Sequence, residues 1–297
     1  MIVALPSSSV VPAPLKLGQC SFILHERARR HCWQGVGALS VKTFARGAAF
    51  YDVGCGRYRV DQHSYLLLNQ GQWYSITSEA EDLVESFCVF FEDGLAEEVQ
   101  YSLATPTPEL LDEPQSAAHA PPHFFEKLYA HDEVLSPALT RLRASLETRQ
   151  DEPEWLREQL HFLVQRLLQV HHNVTREVEA LPALRATTRE ELYRRLHRAK
   201  DFMASCYEQP LTINELASVA CLSPNHFLRT FSQAFQQTPH QFLTARRLES
   251  AQKLLLRSEL SVTDICFEVG FASLGSFSTL FRKHVGLSPA QFRRRKR

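Results

Sequence analysis

From Leu211 to Arg297, apolar residues recur at spacings of three and four, and the recurrence is written twice. Phe227, Phe231 and Phe242 stand 50 positions ahead of Phe277, Phe281 and Phe292, with Thr238-Pro239 matched in the same way by Ser288-Pro289. Such a repeat marks two copies of one supersecondary unit, and the stripes have the period of a helix. Thr212 with Glu215 and Ser261 with Asp264 have the spacing of a capping box at a helix start. Behind them run Leu216, Ala217, Val219, Ala220 in one copy and Val262, Ile265, Cys266, Val269 in the other. Cys221-Leu222 and Gly270-Phe271 interrupt these stripes. Ser223-Pro224 and Ser273 then begin a second helix in each copy. Its buried face is Phe227, Phe231, Ala234 and Phe235, or Phe277, Leu280 and Phe281. The outward faces carry Asn225, Arg229 and Gln233 in the first copy and Ser276, Ser278, Thr279, Arg282 and Lys283 in the second. A helix from Thr238-Pro239 through Phe242, Leu243, Leu248, Ala251 and Leu255 joins the copies.

The pattern ahead of this region has a different period. Leu39-Ser40-Val41, Phe50 to Val53, Tyr58-Arg59-Val60, Tyr65 to Leu68 and Phe87 to Phe91 are short runs rich in aromatic and branched residues. Gly54-Cys55-Gly56, Asn69-Gln70-Gly71 and Ser78 to Asp82 read as the turns between them, and the whole as an all-β sandwich or small barrel. Met1 to Leu17 reads as a loosely ordered arm, and proline-rich Tyr101 to Pro122 as a linker or edge loop. A helix is predicted from Pro153, where Leu156, Leu160, Leu163, Leu167 and Val170 make a narrow seam widened by Val164 and Leu168. That seam buries against this chain's own sheet or closes a homodimer. Thr188-x-x-Glu191 is expected to open a helix whose Leu192, Leu196, Ala199 and Met203 cover the first helix-turn-helix. The predicted organisation is an arm at 1–17, a β domain with its edge loop at 18–120, a helical dimerisation segment at 121–180, a linker at 181–187 and a tandem helix-turn-helix domain at 188–297. The fold class is α+β.

Several of these residues together resemble the AraC/XylS family of bacterial transcription regulators. They are Glu215-Leu216-Ala217, Ser223-Pro224-Asn225-His226-Phe227, Arg247 with Ala251 and Leu255, Asp264-Ile265, Val269-Gly270-Phe271, Phe277, Phe281-Arg282-Lys283, Gly286 and Pro289. The resemblance covers about Leu196 to Arg295. It implies a cupin-like jelly roll that senses a small-molecule effector in the N-terminal β domain, double-stranded DNA as partner, a homodimer, and contact with RNA polymerase. Two positions depart from the family pattern. Gln236 stands where a glycine is usual, which predicts a left-handed C-cap there. Gly275 replaces a polar residue early in the second recognition helix and has no side chain with which to read a base.

Charge sharpens the picture. The chain carries 33 Lys and Arg against 33 Asp and Glu, but from Leu184 onward there are about 18 basic against about 9 acidic residues. A basic C-terminal region suits a polyanion, and an acidic N-terminal region belongs off the duplex. Seven cysteines, widely spaced and often inside apolar patterns, read as reduced thiols. The start has no signal-peptide pattern and no stretch has the length of a membrane span, which predicts a cytoplasmic protein. His31, Cys32, Cys55 and His63 lack the close pairing of a metal site, and His171-His172 reads as a cationic helix end. No P-loop, G-x-S-x-G or H-E-x-x-H string occurs. Neither a catalytic residue nor a cofactor is predicted.

These observations predict a sequence-specific DNA-binding regulator. Asn225, His226, Arg229, Ser276, Ser278 and Thr279 are the expected base contacts, and Ser223, Thr238, Arg282, Lys283 and Ser288 the expected phosphate contacts. Leu156, Leu160, Leu163 and Leu167 are the expected dimer residues. The two units should enter successive major grooves about 34 Å apart. The alternative is a DNA-targeted enzyme, a metal-dependent cupin or an alkyl-transfer repair protein, that uses the helical domain for targeting only.

Overall fold

The computed structural model describes residues 2–3, 18–54, 56–105, 121–149, 152–181 and 185–296. It divides into two compact units, Met1–Glu190 and Glu191–Arg297.

Among the described residues the first unit is built on eight strands: β1 (Ile2–Val3), β2 (Phe22–Val36), β3 (Ser40–Arg46), β4 (Ala48–Val53), β5 (Gly56–Asp61), β6 (Ser64–Leu68), β7 (Trp73–Phe90) and β8 (Leu128–Ala130). They hydrogen-bond in the order β1-β2-β7-β3-β6-β8, with β4 also on β7 and β5 on β4. Ile2 and Val3 run parallel to Ile23 and Leu24, and the other pairings are antiparallel. Alternation along β4 and β5 puts Ala49, Tyr51, Val53, Tyr58 and Val60 inside, where they meet Phe44, Leu66, Leu68, Tyr74 and Val84.

Among the described residues, three helices follow or interrupt the strands: α1 (Leu95–Ala104), α2 (Ser136–Arg149) and α3 (Pro153–Glu179). Leu156, Leu160, Leu163 and Leu167 of α3 are at most 6% exposed within a single chain, because α1 and α2 pack on that helix. The seam is therefore internal core, which corrects its reading as a dimer face. A homodimer closed by these four leucines would first have to unpack the chain.

Other expectations are corrected as well. Ser78 to Asp82 is not a turn between strands, since β7 continues through it from Trp73 to Phe90, but the register with β2 shifts there: the two steps from Ala28 to Arg30 face the five from Val84 to Glu79, so the irregularity falls in β7 itself. β2 was not expected at all. Its run of His, Glu and Arg lacks apolar alternation because this strand is only partly covered. Tyr101 to Ala104 close α1 rather than opening a linker, and the stretch expected to be wholly helical supplies β8. Ile2 and Val3 leave the expected arm to pair with β2, whereas 4–17, Cys55 and most of the predicted edge loop, 106–120, fall outside the described residues. His171 and His172 lie two turns inside α3, not at its end, and His171 packs against Phe124 with ring centroids 5.4 Å apart. Burial first, then the neighbouring His123 and His172, lowers the pKa of His171, so it is held neutral rather than serving the helix dipole.

The second unit holds seven helices among the described residues: α4 (Ala186–Ser205, from Glu191 onward), α5 (Ile213–Val219), α6 (Pro224–Phe235), α7 (Pro239–Arg257), α8 (Val262–Glu268), α9 (Leu274–Val285) and α10 (Pro289–Lys296). α4 begins two residues before Thr188, and Glu191 pairs with Arg195 at 2.7 Å instead of closing a capping box. Its Leu192, Leu196, Ala199 and Met203 do join Leu216, Ala217, Phe227 and Phe231 in one core that continues through Phe277 and Phe281.

Candidate nucleic-acid interface

Each helix-turn-helix starts from a reciprocal cap. The Glu215 carboxylate accepts from the Thr212 backbone N–H at 2.7 Å while Thr212 Oγ1 accepts from Glu215 N–H at 3.2 Å. Ser261 and Asp264 do the same at 3.2 and 3.0 Å. The hydrogen bonds from the Thr212 backbone and hydroxyl hold the Glu215 carboxyl below its usual range. α5 and α8 thus have fixed starting points.

Their ends are fixed by a left-handed residue. In the first copy Cys221 has φ 51° and Leu222 N–H reaches back to Ala217 O at 2.9 Å. In the second, Gly270 has φ 88° and Phe271 N–H reaches Cys266 O at 3.0 Å. Both carry the long back-bond of a Schellman turn. Leu222 alone separates this left-handed Cys221 from the cap Ser223, whereas Phe271 and Ala272 separate Gly270 from Ser273. The second turn is one residue longer.

The two recognition helices bury the faces their spacing predicted. Phe227, Phe231, Phe277 and Phe281 are wholly enclosed, and successive rings in each helix lie 5.4 and 5.6 Å apart. The opposite faces stand in solvent. Asn225 and Arg229 are exposed and make no hydrogen bond or ion pair among the described residues, which leaves their donors and acceptors available. His226 is half-buried, and its carbonyl accepts from Thr230 Oγ1 at 2.7 Å. On α9, Thr279, Arg282 and Lys283 are exposed, whereas Ser278 is half-buried. Ser276 is exposed but tied into the cap, since Ser273 Oγ accepts from Ser276 N–H at 3.3 Å and donates to Ser276 Oγ at 3.0 Å.

Three of the expected phosphate contacts, Ser223, Thr238 and Ser288, sit at helix starts, whereas Arg282 and Lys283 lie in the last turn of α9. Ser223 is the N-cap of α6 without any side-chain capping bond. Thr238 and Ser288 cap through Gln241 and Gln291: backbone N–H groups of the two glutamines donate to the hydroxyls at 3.2 and 3.3 Å, and the side-chain amides accept in return at 2.8 and 3.0 Å. These two reciprocal caps went unread in the sequence, although T-x-x-Q and S-x-x-Q spell them out. Hydroxyls and free N–H groups at helix starts favour anions. α7, 19 residues long, spans about 28 Å and sets the separation of the copies. Gln236 ends α6 in the left-handed region at φ 53°, as expected for a residue in a glycine position.

Arg247 and Gly270 converge on one backbone segment. Arg247 donates to Tyr207 O at 2.7 Å and Gln209 O at 2.8 Å. A Cβ on Gly270 would fall 2.5 Å from Glu208 O. Residues 207–209 thus join the linker helix, the end of α4 and the second turn into one frame.

Residues 216–295 match the family model described as a helix-turn-helix domain. The melibiose operon regulatory protein of Escherichia coli (strain K12) is 38% identical over 93 residues, 31% of this chain and 31% of that protein. Residues 216–295 are an AraC-type helix-turn-helix domain.

The bifunctional transcriptional activator/DNA repair enzyme AdaA of Bacillus subtilis (strain 168) is 32% identical over 93 residues, 31% of this chain and 44% of that one. Among solved structures, the C-terminal domain of AraT, a response regulator from Geobacillus stearothermophilus, has 33% identity over 35% of this chain and 87% of that chain, with a TM-score of 0.34. The chain covers less than half the length of both curated relatives. Among the described residues no cluster of three His, Cys, Asp or Glu side chains is placed to hold a metal, and no helix is long and apolar enough to cross a membrane.

Proposed function

We propose that the chain is a sequence-specific DNA-binding transcription regulator. The observation that carries this reading is the pair of AraC-type recognition helices, each capped, each packed on phenylalanines, each presenting its polar face to solvent. The first presents Asn225 and Arg229, whose side chains can make paired hydrogen bonds to adenine and guanine edges. Arg282, Lys283, Ser223, Thr238 and Ser288 take phosphates, and the excess of basic residues after Leu184 supplies the long-range attraction. Work in the cytoplasm belongs to the same proposal.

The finer reading gives the separate N-terminal β unit the sensing role, with a small molecule as its ligand, and adds a second copy of the chain and RNA polymerase as partners. The dimer contact then lies outside the four leucines of α3, which this chain covers itself. Selection of binding sites from a randomised duplex library by the full chain tests the reading, followed by transcript levels in a deletion strain. A regulator enriches one motif and shifts the genes beside it. Binding without enrichment, together with chemical change to the bound DNA, would move the chain to the class of DNA-targeted enzymes.

A further inference from the structure

Two leucines stand where a surface facing a polyanion has no use for them. Leu228 of α6 and Leu274 of α9 are 36% and 39% exposed. Leu228 follows Asn225 by three positions and lies about 100° around the helix from Arg229, so it borders the outward face that Asn225 and Arg229 share. Leu274 is the first residue of the second recognition helix, followed by Gly275, whose Cβ position has nothing within 4 Å. Neither leucine belongs to the core of the domain or to the partly buried residues packed against it, and Gly275 has no positive φ and open space around its Cβ position. The next residue, Ser276, has its hydroxyl drawn into the cap by Ser273. The start of the second recognition helix is therefore apolar and low in relief.

Phosphates and sugars offer a leucine nothing, and among the base edges in the major groove one group is apolar, the C5-methyl of thymine. We infer that Leu228 and Leu274 read thymine methyl groups, one under each recognition helix, and that Gly275 lets the second helix approach its base closely. The inference rests on the DNA-binding reading above and adds what the operator must contain. The copies do not use matching positions: Leu228 corresponds to Ser278 and Leu274 to Pro224 at the 50-residue step. The two thymines therefore sit at different places within the two half-sites, which gives the site a polarity that a simple repeat lacks.

The test removes methyl groups from the DNA instead of side chains alone. In a site selected by the full chain, each thymine in turn is replaced by deoxyuridine, which keeps every hydrogen-bonding group and deletes the methyl. Burial of one methyl-sized group at about 0.8 kcal/mol corresponds to about fourfold in Kd. The expected result is a loss of about that size at one position that disappears in Leu228→Ala, and at a second that disappears in Leu274→Ala, each variant leaving the other position's loss intact. A flat uridine scan overturns the inference, as do losses that persist in both variants. Both replacements are at exposed positions, and an unchanged unfolding transition confirms that each variant is folded. If the full chain selects no motif, the DNA-binding reading itself falls and takes this one with it; a motif with a flat scan removes this inference alone.

Discussion

Arg247 Nε donates to Tyr207 O at 2.7 Å, which ties the middle of the linker helix to the end of the first helix of the domain. The same guanidinium bonds Gln209 O, and the Tyr207 hydroxyl meets Ser250 Oγ at 2.8 Å one turn further along. Arg247 therefore works inside the protein, although it belongs to a domain in which arginines are otherwise candidates for DNA. Arg247→Ala removes two charge-assisted bonds and leaves two carbonyls in need of water. It should cost about 2–3 kcal/mol of stability, read as a lower denaturation midpoint of the helical signal. Arg247→Lys should recover only part of this, because one ammonium cannot reproduce the fork.

The glycines of the second copy should separate cleanly on alanine replacement. Gly270 combines φ 88° with a Cβ position 2.5 Å from Glu208 O and 2.9 Å from Tyr207 O, all backbone that cannot step aside. Gly270→Ala should cost more than about 3 kcal/mol. Gly286 has φ 83° but open space, so its alanine pays only the left-handed penalty of about 1 kcal/mol. Gly275→Ala, at an ordinary helical position in open space, should stabilise by about 0.5–1 kcal/mol. Thermal unfolding of the three variants gives the order directly, and a stable Gly270→Ala would show that the 207–209 frame is dispensable.

Why the two halves of the chain were unequally legible follows from how their signals are written. In the helix-turn-helix copies, each element carries its own start and stop within a few residues: Thr212 with Glu215, Gln236, Ser273, Gly286. Local chemistry settled those ends. β2 has no such punctuation; His25, Glu26, Arg27, Arg29 and Arg30 look like a loop until β7 is placed beside them. Partners some sixty residues away decide that strand. Ser78 to Asp82 misled for the same reason, since a polar stretch inside a long strand reads as a turn when its neighbour is unknown. The α3 leucines gave their period correctly, but period cannot say whether the covering surface is this chain or a second one. The outward positions of Asn225 and Arg229 were legible from the phenylalanine spacing, whereas the half-burial of Ser278 was not.

Lys42 should make the N-terminal unit sensitive to alkaline pH. It lies directly across from Cys88 in the β3–β7 register, 1% exposed, with Nζ 3.4 Å from the centroid of Phe90 and 5.3 Å from that of Tyr74. No carboxylate pairs with it among the described residues. Burial pulls its pKa down from 10.5 to about 8, and Cys88 opposes this weakly. Because the folded value lies below the unfolded one, the Lys42 penalty is complete below about pH 8 and is relieved as pH rises towards 10.5, while buried Cys88, Tyr51 and Tyr74, whose values are raised above 9.0, 10.0 and 10.0, work against that gain in the upper part of the window. Lys42→Met should remove the rising contribution to the slope and raise stability at neutral pH by up to about 3 kcal/mol. Trp33, Trp73 and Trp155 all belong to this unit, so tryptophan fluorescence during urea unfolding at pH 7 and pH 10 compares the two proteins. Equal pH slopes in both would mean that Lys42 is charged and paired after all.

The two copies should divide the labour of DNA recognition unequally. Arg229 is exposed beside Asn225 on the first recognition helix, with no internal partner among the described residues to compete for its guanidinium. A bidentate arginine contact to guanine is worth about 1–3 kcal/mol of discrimination. Lys283, ten positions into the second helix, has a point charge suited to phosphate and no second donor plane with which to tell bases apart. Arg229→Ala should therefore lose about 1–3 kcal/mol on the selected site and flatten the preference at one base pair. Lys283→Ala should weaken selected and random duplexes alike and shallow the salt dependence by about one phosphate. Binding titrations of both variants on selected and scrambled duplexes at several salt concentrations separate the two behaviours. If selectivity survives Arg229→Ala and collapses on replacing Thr279, the reading head is the second helix, and the first serves to hold the backbone.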